Sequence, residues 1–237
     1  MSALPARNDD MSFVDIAFSG EALRCDHSGV LYLPDHDTLV VSDLHLEKGA
    51  AFARRAMLLP PWDTAATLAR LGAAIARHAP ARVISLGDSF HDGVGAAHMP
   101  QMFRDSLLAL MAGRDWIWIA GNHDPQPPSG LPGETVAEYR LGNLVFRHEP
   151  RSGPVDGEVA GHHHPAARVV VRGHAVRRAC FVEDGNRFVM PAFGALTGAV
   201  DIASPALARL FDWTRINAYL IGRERIYAMP GRVICRR

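Results

Sequence analysis

Three short apolar runs in the first half of the chain have the pattern of buried β-strands. They are Thr38–Ser42, Arg82–Leu86 and Trp116–Ile119, and aliphatic, β-branched or aromatic residues follow one another in them without regular polar alternation. A continuous run of this kind is typical of a strand that is covered on both faces. Polar residues follow each run directly, so candidate functional side chains are concentrated where the predicted strands end.

The stretches between these runs have the apolar spacing of helices. One helix is predicted from Asp63, as its N-cap, to about His78, and a second from about Met99 to Met111. Their apolar faces are formed by Leu68, Leu71 and Ile75 in the first and by Phe103, Leu107 and Leu110 in the second. A shorter helix is predicted within Glu47–Met57, ended by Pro60-Pro61. Strands and helices in this order predict parallel strands joined by right-handed crossovers.

The remaining stretches predict short strands in close succession. Residues Phe13 to Leu33 predict two or three antiparallel strands. After the Pro- and Gly-rich segment Pro125–Gly133, the predicted strands are Val136–Arg140, Asn143–Phe146, Glu158–Ala160, Arg168–Arg172, Ala175–Val182, Arg187–Met190, Asn217–Ile221 and Arg225–Ala228. A small helix is predicted from Pro205, with Ser204 as its cap. This order predicts an α/β fold in which two sheets pack face to face, with helices outside.

Composition and charge narrow the class of protein. The chain has 237 residues, 48% of them apolar and 21% charged, which is typical of a soluble globular protein. We expect a single domain over residues 11–237 after a disordered segment 1–10, with no signal peptide and no membrane span. Cys25, Cys180 and Cys235 form no closely spaced pair, which favours a reduced, cytoplasmic protein. Lys+Arg and Asp+Glu both number 25, so no global field favours nucleic acid or a membrane.

The polar residues at the strand ends have the chemistry of metal ligands. In chain order they are Asp43, His45, Asp88, Asn122, His148, His162 and His164. Strand ends of this kind meet at one edge of an α/β sheet, so we expect these side chains to converge. Carboxylate, imidazole and amide ligands without thiolates suit Mn²⁺, Fe²⁺ or Zn²⁺. Seven candidates suit two ions roughly 3.5–4 Å apart better than one. Glycine precedes Asp88, Asn122 and His162, where we expect the backbone to turn sharply and approach an ion closely.

The chain resembles the calcineurin-like metallophosphoesterase superfamily in five ordered motifs. They are Asp43-Leu44-His45, Gly87-Asp88-Ser89-Phe90-His91, Gly121-Asn122-His123-Asp124, His148 and Gly161-His162-His163-His164. The resemblance implies a four-layer α-β-β-α sandwich of two mixed sheets around two divalent ions, with Mn²⁺ favoured and Fe²⁺ or Zn²⁺ as alternatives. It assigns Asp43, His45 and His164 to one ion, assigns Asn122, His148 and His162 to the other, and makes Asp88 the bridge.

The sequence around these motifs resembles a bacterial subgroup, the ligase-associated DNA-damage-response endonucleases called PdeM. The resemblance lies in Ser42–Gly49, Phe52–Arg55, Leu58–Pro61, Gly87–Asp92 and Pro191–Gly198. It implies a phosphodiester substrate such as DNA, a role in DNA repair, and functional association with an ATP-dependent DNA ligase and a helicase. His91, three residues after Asp88, resembles the double-strand-break-repair nuclease branch, whereas the protein-phosphatase branch has a carboxylate there.

His91 therefore favours a phosphodiesterase or nuclease. The alternatives are a phosphatase or pyrophosphatase acting on monoesters, nucleotides or a lipid precursor, and a non-catalytic scaffold. The expected reaction is in-line attack on phosphorus by a hydroxide that bridges the two metals. His123 is predicted to protonate the leaving oxygen, and His91 to orient His123. Arg54 and Arg55, with Lys48, are candidates for contacts with a substrate phosphate, and the alternative for the arginine pair is a simply exposed helix face.

Some polar residues have two interpretations that the sequence leaves open. Asp92 and Asp124 either orient neighbouring imidazoles or are solvated, whereas His163 is expected to pack rather than to bind metal. The basic stretch with Arg168, Arg172, His174, Arg177 and Arg178 either contacts nucleic acid or forms the solvated face of an edge hairpin.

Overall fold

A computed structural model describes residues 12–57, 62–126, 128–171 and 173–234. The N-terminal segment predicted to be disordered, Pro60-Pro61 and Cys235 lie outside these residues. The described helices are α1 (Lys48–Ala53), α2 (Asp63–His78), α3 (Gly95–His98), α4 (Gln101–Met111) and α5 (Pro205–Ala208). Short 3₁₀ helices cover Pro34–His36 and Gly231–Val233.

The first sheet begins as an antiparallel meander and continues as parallel strands. Its described strands, in spatial order, are β1 (Phe13–Phe18), β2 (Glu21–Asp26), β3 (Leu31–Leu33), β4 (Thr38–Val41), β5 (Arg82–Ser85), β6 (Asp115–Ile119) and β7 (Glu134–Val136). Strands β1 to β4 pair antiparallel, whereas β4 to β7 pair parallel. The carboxyl ends of β4, β5 and β6 therefore meet at one edge of this sheet.

The second sheet is formed by the C-terminal part of the chain. Its described strands are β8 (Glu138–Leu141), β9 (Leu144–Arg147), β10 (Glu158–Ala160), β11 (Pro165–Val171), β12 (His174–Glu183), β13 (Arg187–Val189), β14 (Val200–Asp201), β15 (Asn217–Ile221) and β16 (Ile226–Pro230). The spatial order is β14-β11-β12-β13-β10-β9-β8, and β15 and β16 extend the sheet from β12. Strands β9 and β10 are parallel, so their carboxyl ends also lie together.

Three apolar layers hold these elements together. The two sheets pack face to face through buried side chains such as Val40, Ile84 and Phe146. Helices α2 and α4 cover the other face of the first sheet, where Trp116 and Trp118 belong to the core as the sequence indicated. The segment around α5 covers the other face of the second sheet. The predicted four-layer α-β-β-α arrangement is confirmed, although the described helix of the fourth layer has only four residues.

The structure corrects three predictions about individual elements. Helix α2 has the predicted bounds, but its N-cap is Trp62 rather than Asp63, whose carboxylate accepts a hydrogen bond from the Gly49 N–H at 3.0 Å. The helix predicted from Met99 begins at Gln101, because the residue before a proline avoids the helical conformation. The single strand predicted at Val136–Arg140 is two strands: β7 pairs with β6 in the first sheet, and β8 pairs with β9 in the second.

Candidate active site

Six of the predicted ligands form two clusters. Asp43, His45 and His164 form the first, and Asp88, His148 and His162 form the second. Within each cluster, one ligand atom from every residue lies within 4.8 Å of the others. Asp88 Oδ2 lies 3.9 Å from His45 Nε2, so Asp88 connects the clusters. The Asn122 side-chain oxygen lies 3.0 Å from His148 Nε2, which places Asn122 at the second cluster. The structure therefore brings together all seven residues indicated as metal ligands.

Both sheets contribute to this site. From the first sheet, Asp43 follows β4, Asp88 follows β5 and Asn122 follows β6. From the second sheet, His148 follows β9, and His162 and His164 follow β10. Each cluster contains residues from both sheets. The site therefore lies across the seam between the sheets.

Five of the site residues have a left-handed backbone conformation, which non-glycine residues rarely adopt. They are Asp43, His45, Asp88, His162 and His164, with φ angles between 44° and 68°. Two hydrogen bonds hold this backbone: across the seam, the His162 N–H donates to Asp43 Oδ2 at 3.0 Å, and within the first sheet, the His45 N–H donates to the Asp88 carbonyl at 2.9 Å. Each such conformation costs about 1–3 kcal/mol, and clusters of them are typical of functional sites.

Lack of space for a side chain explains the glycines that precede the ligands at all three positions, and backbone conformation adds a second reason at one of them. A Cβ on Gly161 would lie 1.9 Å from Ser42 Oγ, and one on Gly121 would lie 2.2 Å from the Asp88 backbone nitrogen. Gly87 is different because its φ of +78° independently favours glycine. A Cβ on Gly87 would also lie 2.3 Å from His148 Nδ1. The sequence predicted a close approach to an ion at these glycines, and the close approach in the structure is to other site residues.

Hydrogen bonds to the backbone orient two of the imidazoles. His148 Nδ1 lies 2.9 Å from the Leu86 carbonyl, and His123 Nδ1 lies 2.9 Å from the His91 carbonyl. A carbonyl only accepts, so each Nδ1 carries the proton and each Nε2 faces the site. His123 Nε2 is 3.9 Å from Asp88 Oδ2. His91 was predicted to orient His123, and it contacts His123 through its carbonyl and a stacked ring at 5.2 Å.

Charges within the clusters shift several pKa values. Burial alone would raise the pKa of Asp88, but the hydrogen bond and charge of His148 lower it to about 2. Burial alone would lower the pKa of His148, but Asp88 and Asp43 raise it to about 9. Burial lowers the pKa of His45 to about 4. A pKa of about 4 keeps the His45 imidazole neutral, which is the form that binds a metal ion, whereas His148 would release its proton on binding one.

The unmatched polar atoms of the site fit bound cations. His45 Nε2 faces His164 Nε2 at 3.4 Å, and His162 Nδ1 faces His148 Nε2 at 3.2 Å. A neutral imidazole has one N–H and one lone pair, so the nitrogens that face each other can both offer lone pairs to a cation when their protons lie on the opposite ring nitrogens. Asp43 Oδ1 is buried and accepts no hydrogen bond, although His164 Nε2 lies 3.1 Å from it. These groups have the ligand types and spacing that divalent metal ions require.

The other predicted site residues have different surroundings. Arg54 and Arg55 are exposed, and Arg54 forms an ion pair with Asp92 at 2.5 Å, so Asp92 contacts an arginine rather than an imidazole. Asp124 Oδ2 accepts the Phe90 N–H at 3.0 Å, and burial raises the pKa of Asp124 to about 7. His163 is outside both clusters and packs against the His162 ring at 4.8 Å.

Sequence analysis assigned no role to Ser42 or to the loop 191–198, which lie beside the ligands, and assigned Lys48 a phosphate contact rather than the contact with this loop that it makes. Ser42 donates a short hydrogen bond to Asp43 Oδ2. Lys48, the one lysine among 25 Lys and Arg residues, donates to the Leu196 carbonyl at 2.8 Å. This bond anchors the loop 191–198, whose Gly194 N–H donates to the Asp43 carbonyl. The resemblance of Pro191–Gly198 to the PdeM subgroup was a signal that this loop belongs to the site.

Comparison with known proteins identifies the family. The model of the calcineurin-like phosphoesterase family matches residues 36–185, which is more than half of the chain. The chain belongs to this family. Among solved structures, the crystal structure of Pseudomonas putida nuclease MPE matches with 30% sequence identity and a TM-score of 0.69. The match covers 92% of this chain and 100% of the nuclease chain. No curated protein sequence matches the chain.

Family membership and the two clusters together define the class of activity. The chain is a metal-dependent phosphoesterase, a hydrolase of phosphate esters. The resemblance seen in the sequence, to the metallophosphoesterases and their nucleases, is confirmed. Over the part of the chain that the structure covers, no helix is long and apolar enough to span a membrane.

Proposed function

We propose that this protein is a phosphodiesterase that cleaves DNA strands with two divalent metal ions and acts in DNA repair. The observation that carries the proposal is the pair formed by His91 and His123. His123 Nδ1 is held by the His91 carbonyl, which leaves Nε2 facing the bridging carboxylate Asp88. A histidine at position 91 is a departure from the phosphatase pattern. Similarity to a nuclease over 92% of the chain also supports a phosphodiester substrate.

The ligands and their surroundings divide the catalytic work. Asp43, His45 and His164 would hold one ion, Asn122, His148 and His162 would hold the other, and Asp88 would be shared between them. When bound, the two ions supply positive charge to the phosphate oxygens and acidity to a water molecule. The Nδ1–H bond to the His91 carbonyl keeps the His123 ring in place, and in the doubly protonated imidazolium form His123 donates its Nε2 proton to the leaving oxygen. Arg54, released from Asp92, or Arg55 contacts a substrate phosphate oxygen.

The donor set supports manganese as the working ion. It combines two carboxylates and one amide oxygen with imidazoles and contains no thiolate. Hard and borderline donors of this kind suit Mn²⁺, with Fe²⁺ and Zn²⁺ as the alternatives. The two described cysteines, Cys25 and Cys180, are buried and unpaired, in keeping with a cytoplasmic setting. Action beside an ATP-dependent DNA ligase and a helicase is part of the proposal and rests on the resemblance to the PdeM subgroup.

A substrate panel tests the proposal. With Mn²⁺, we expect bis-p-nitrophenyl phosphate to be hydrolysed faster than p-nitrophenyl phosphate, and single-stranded or gapped DNA to be cut. Asp88→Asn should abolish both activities, because the residue bridges the two clusters. Preference for the monoester would instead support the phosphatase alternative. DNA cutting that persists in Asp88→Asn would mean that a contaminant is responsible.

A further inference from the structure

The neutral net charge of the chain conceals a strong asymmetry. Residues 1–164 contain 13 Lys and Arg against 20 Asp and Glu, whereas residues 165–237 contain 12 Arg against 5 Asp and Glu. The two parts therefore carry formal charges of −7 and +7. Residue 165 is also where β11 begins, directly after the ligand His164. The basic charge thus starts at the active site and continues through the outer strands of the second sheet, which favours an anionic partner there.

Two hairpins of this basic part enclose a cleft. We call it the hairpin cleft; it lies between the β11–β12 hairpin and the β15–β16 hairpin and has a volume of about 300 Å³. Val169, Val176, Leu220 and Met229 form apolar walls, and the lining is completed by Tyr227, Arg178, Gly222 and Arg223. No carboxylate belongs to that lining. Apolar walls with a few polar or charged groups are typical of small-ligand sites.

The aromatic ring in the cleft is available for stacking. Tyr227 is 42% exposed, although it belongs to a paired strand and lies across from the buried Leu220. The guanidinium carbon of Arg225 lies 5.5 Å from the centre of the Tyr227 ring, which restricts the ring's orientation. Arg178 and Arg223 are exposed beside it. An exposed aromatic ring flanked by arginines is the combination that binds single-stranded nucleic acids.

The register of the hairpin places the cleft near the active site. Arg178 is paired with Ala167, and Val176 with Val169. These partners on β11 are three and five residues beyond His164, which at about 3.3 Å per residue corresponds to roughly 10 and 17 Å along the strand. A nucleic-acid strand bound at the metal clusters is therefore within reach of the cleft.

We propose that the hairpin cleft binds one nucleotide of a single-stranded polynucleotide, with its base stacked on Tyr227 and its flanking phosphates on Arg178 and Arg223. This inference rests on the proposed function for the identity of the substrate. It adds that the protein prefers a polymer to a small diester, because a small diester fills only the metal clusters. Of the two interpretations of the basic stretch Arg168–Arg178, the inference favours a contact with nucleic acid, and it places that contact at Arg178. Arg172 lies outside the described residues.

Oligonucleotide binding in EDTA tests the inference without any cutting. We expect Tyr227→Ala to weaken the binding of a fluorescein-labelled oligo(dT) about tenfold, and Tyr227→Phe to keep wild-type affinity, because stacking needs the ring and not the hydroxyl. Arg223→Gln should lower the slope of log K against log salt by about 0.7, the value for one phosphate contact on a single strand. Arg140→Gln is the matched control, because Arg140 is also exposed but lies on β8 beside Glu138.

The outcomes separate this inference from the proposed function. Turnover of bis-p-nitrophenyl phosphate should be unchanged in the Tyr227 and Arg223 variants, while DNA cutting falls in parallel with affinity. Equal affinity of Tyr227→Ala and wild type for oligo(dT) would overturn the inference, even if the protein is a diesterase. A change in sedimentation with unchanged affinity would also overturn it, and would make a second copy of the chain the occupant. Absence of diesterase activity in wild type would refute the proposed function alone, because the binding assay needs no catalysis.

Discussion

At the scale of single residues, His123 distinguishes catalysis from metal binding. Its Nε2 faces Asp88 at 3.9 Å, yet its side chain is 40% exposed and belongs to neither ligand cluster. We expect His123→Asn to lower diester turnover by about 10²–10⁴-fold, the usual contribution of a general acid, while two Mn²⁺ ions still bind. Steady-state kinetics and metal analysis check this. His163→Asn is the control, because His163 belongs to neither cluster and packs against the His162 ring. Equal losses of diester turnover in the two variants would contradict the role of His123.

A second residue-scale prediction concerns Gly161, which makes room for the Ser42–Asp43 hydrogen bond. The Cβ of Gly161→Ala would lie 1.9 Å from Ser42 Oγ and 2.7 Å from Asp43 Oδ2. Displacing a group that orients a ligand weakens metal binding by about 10–100-fold, so titration calorimetry with Mn²⁺ should show a loss of that size. Gly93→Ala is the control, since nothing lies within 4 Å of its added Cβ. Similar Mn²⁺ affinities for the two variants would refute this explanation.

At the scale of elements, Asp26 fixes the C-terminal end of α2 against β2. Its buried carboxylate accepts hydrogen bonds from Arg77 at 2.8 Å and from the Ser28 N–H at 2.8 Å, and it lies 3.1 Å from His78 Nε2. Burial alone would raise the pKa of Asp26, but these partners lower it far below its usual value. Asp26→Asn keeps the shape and removes the charge. Since Arg77 is partly exposed, we expect a loss of about 2 kcal/mol in the free energy of unfolding at pH 7.

The effect of Asp26→Asn should depend on pH in a defined direction. A carboxyl with a folded-state pKa below its unfolded value of about 3.9 stabilises the fold above that pH and loses this contribution as the pH falls towards the folded pKa. The difference between wild type and Asp26→Asn in urea unfolding should therefore shrink below about pH 4. Asp15→Asn, which breaks a surface pair with Arg24, should cost under about 1 kcal/mol. A constant difference from pH 7 to pH 3 would show that Asp26 acts through packing alone.

The sequence predicted elements well where an apolar run stopped at a polar residue. Strands β4, β5 and β6, with the ligands after them, were found in this way because burial on both faces leaves an uninterrupted apolar pattern. The sequence did not show that β7 and β8 are separate strands. Only Ala137 lies between them, and alanine carries no turn signal that would divide a run of this length. Left-handed backbone at Asp43 and His162 was also invisible, because it depends on hydrogen bonds between residues more than a hundred positions apart.

At the scale of the whole molecule, the site lies where an acidic part of the chain gives way to a basic part. The acidic part, residues 1–164, supplies all the ligands and the first sheet, and the basic part begins at the residue after His164. The net charge of zero predicted no attraction to nucleic acid. That prediction was incomplete, because the net charge averages over an acidic part and a basic part of the chain. The acidic cluster attracts cations, and the basic surface beside it attracts a polyanion. Together they bring metal ions and a nucleic-acid strand to one place.

Because each cluster takes ligands from both sheets, metal ions should stabilise the whole fold. An ion that binds only the folded protein adds about 2.7 kcal/mol at 100 times its Kd. For a chain of this size, that raises the Tm by roughly 5–10 °C. We expect Mn²⁺ to produce such a rise in wild type and in His163→Asn, and Asp88→Asn to lose most of it, because Asp88 connects the clusters. Calorimetry with and without EDTA measures the shift, and an equal rise in Asp88→Asn would place the stabilising ion elsewhere in the molecule.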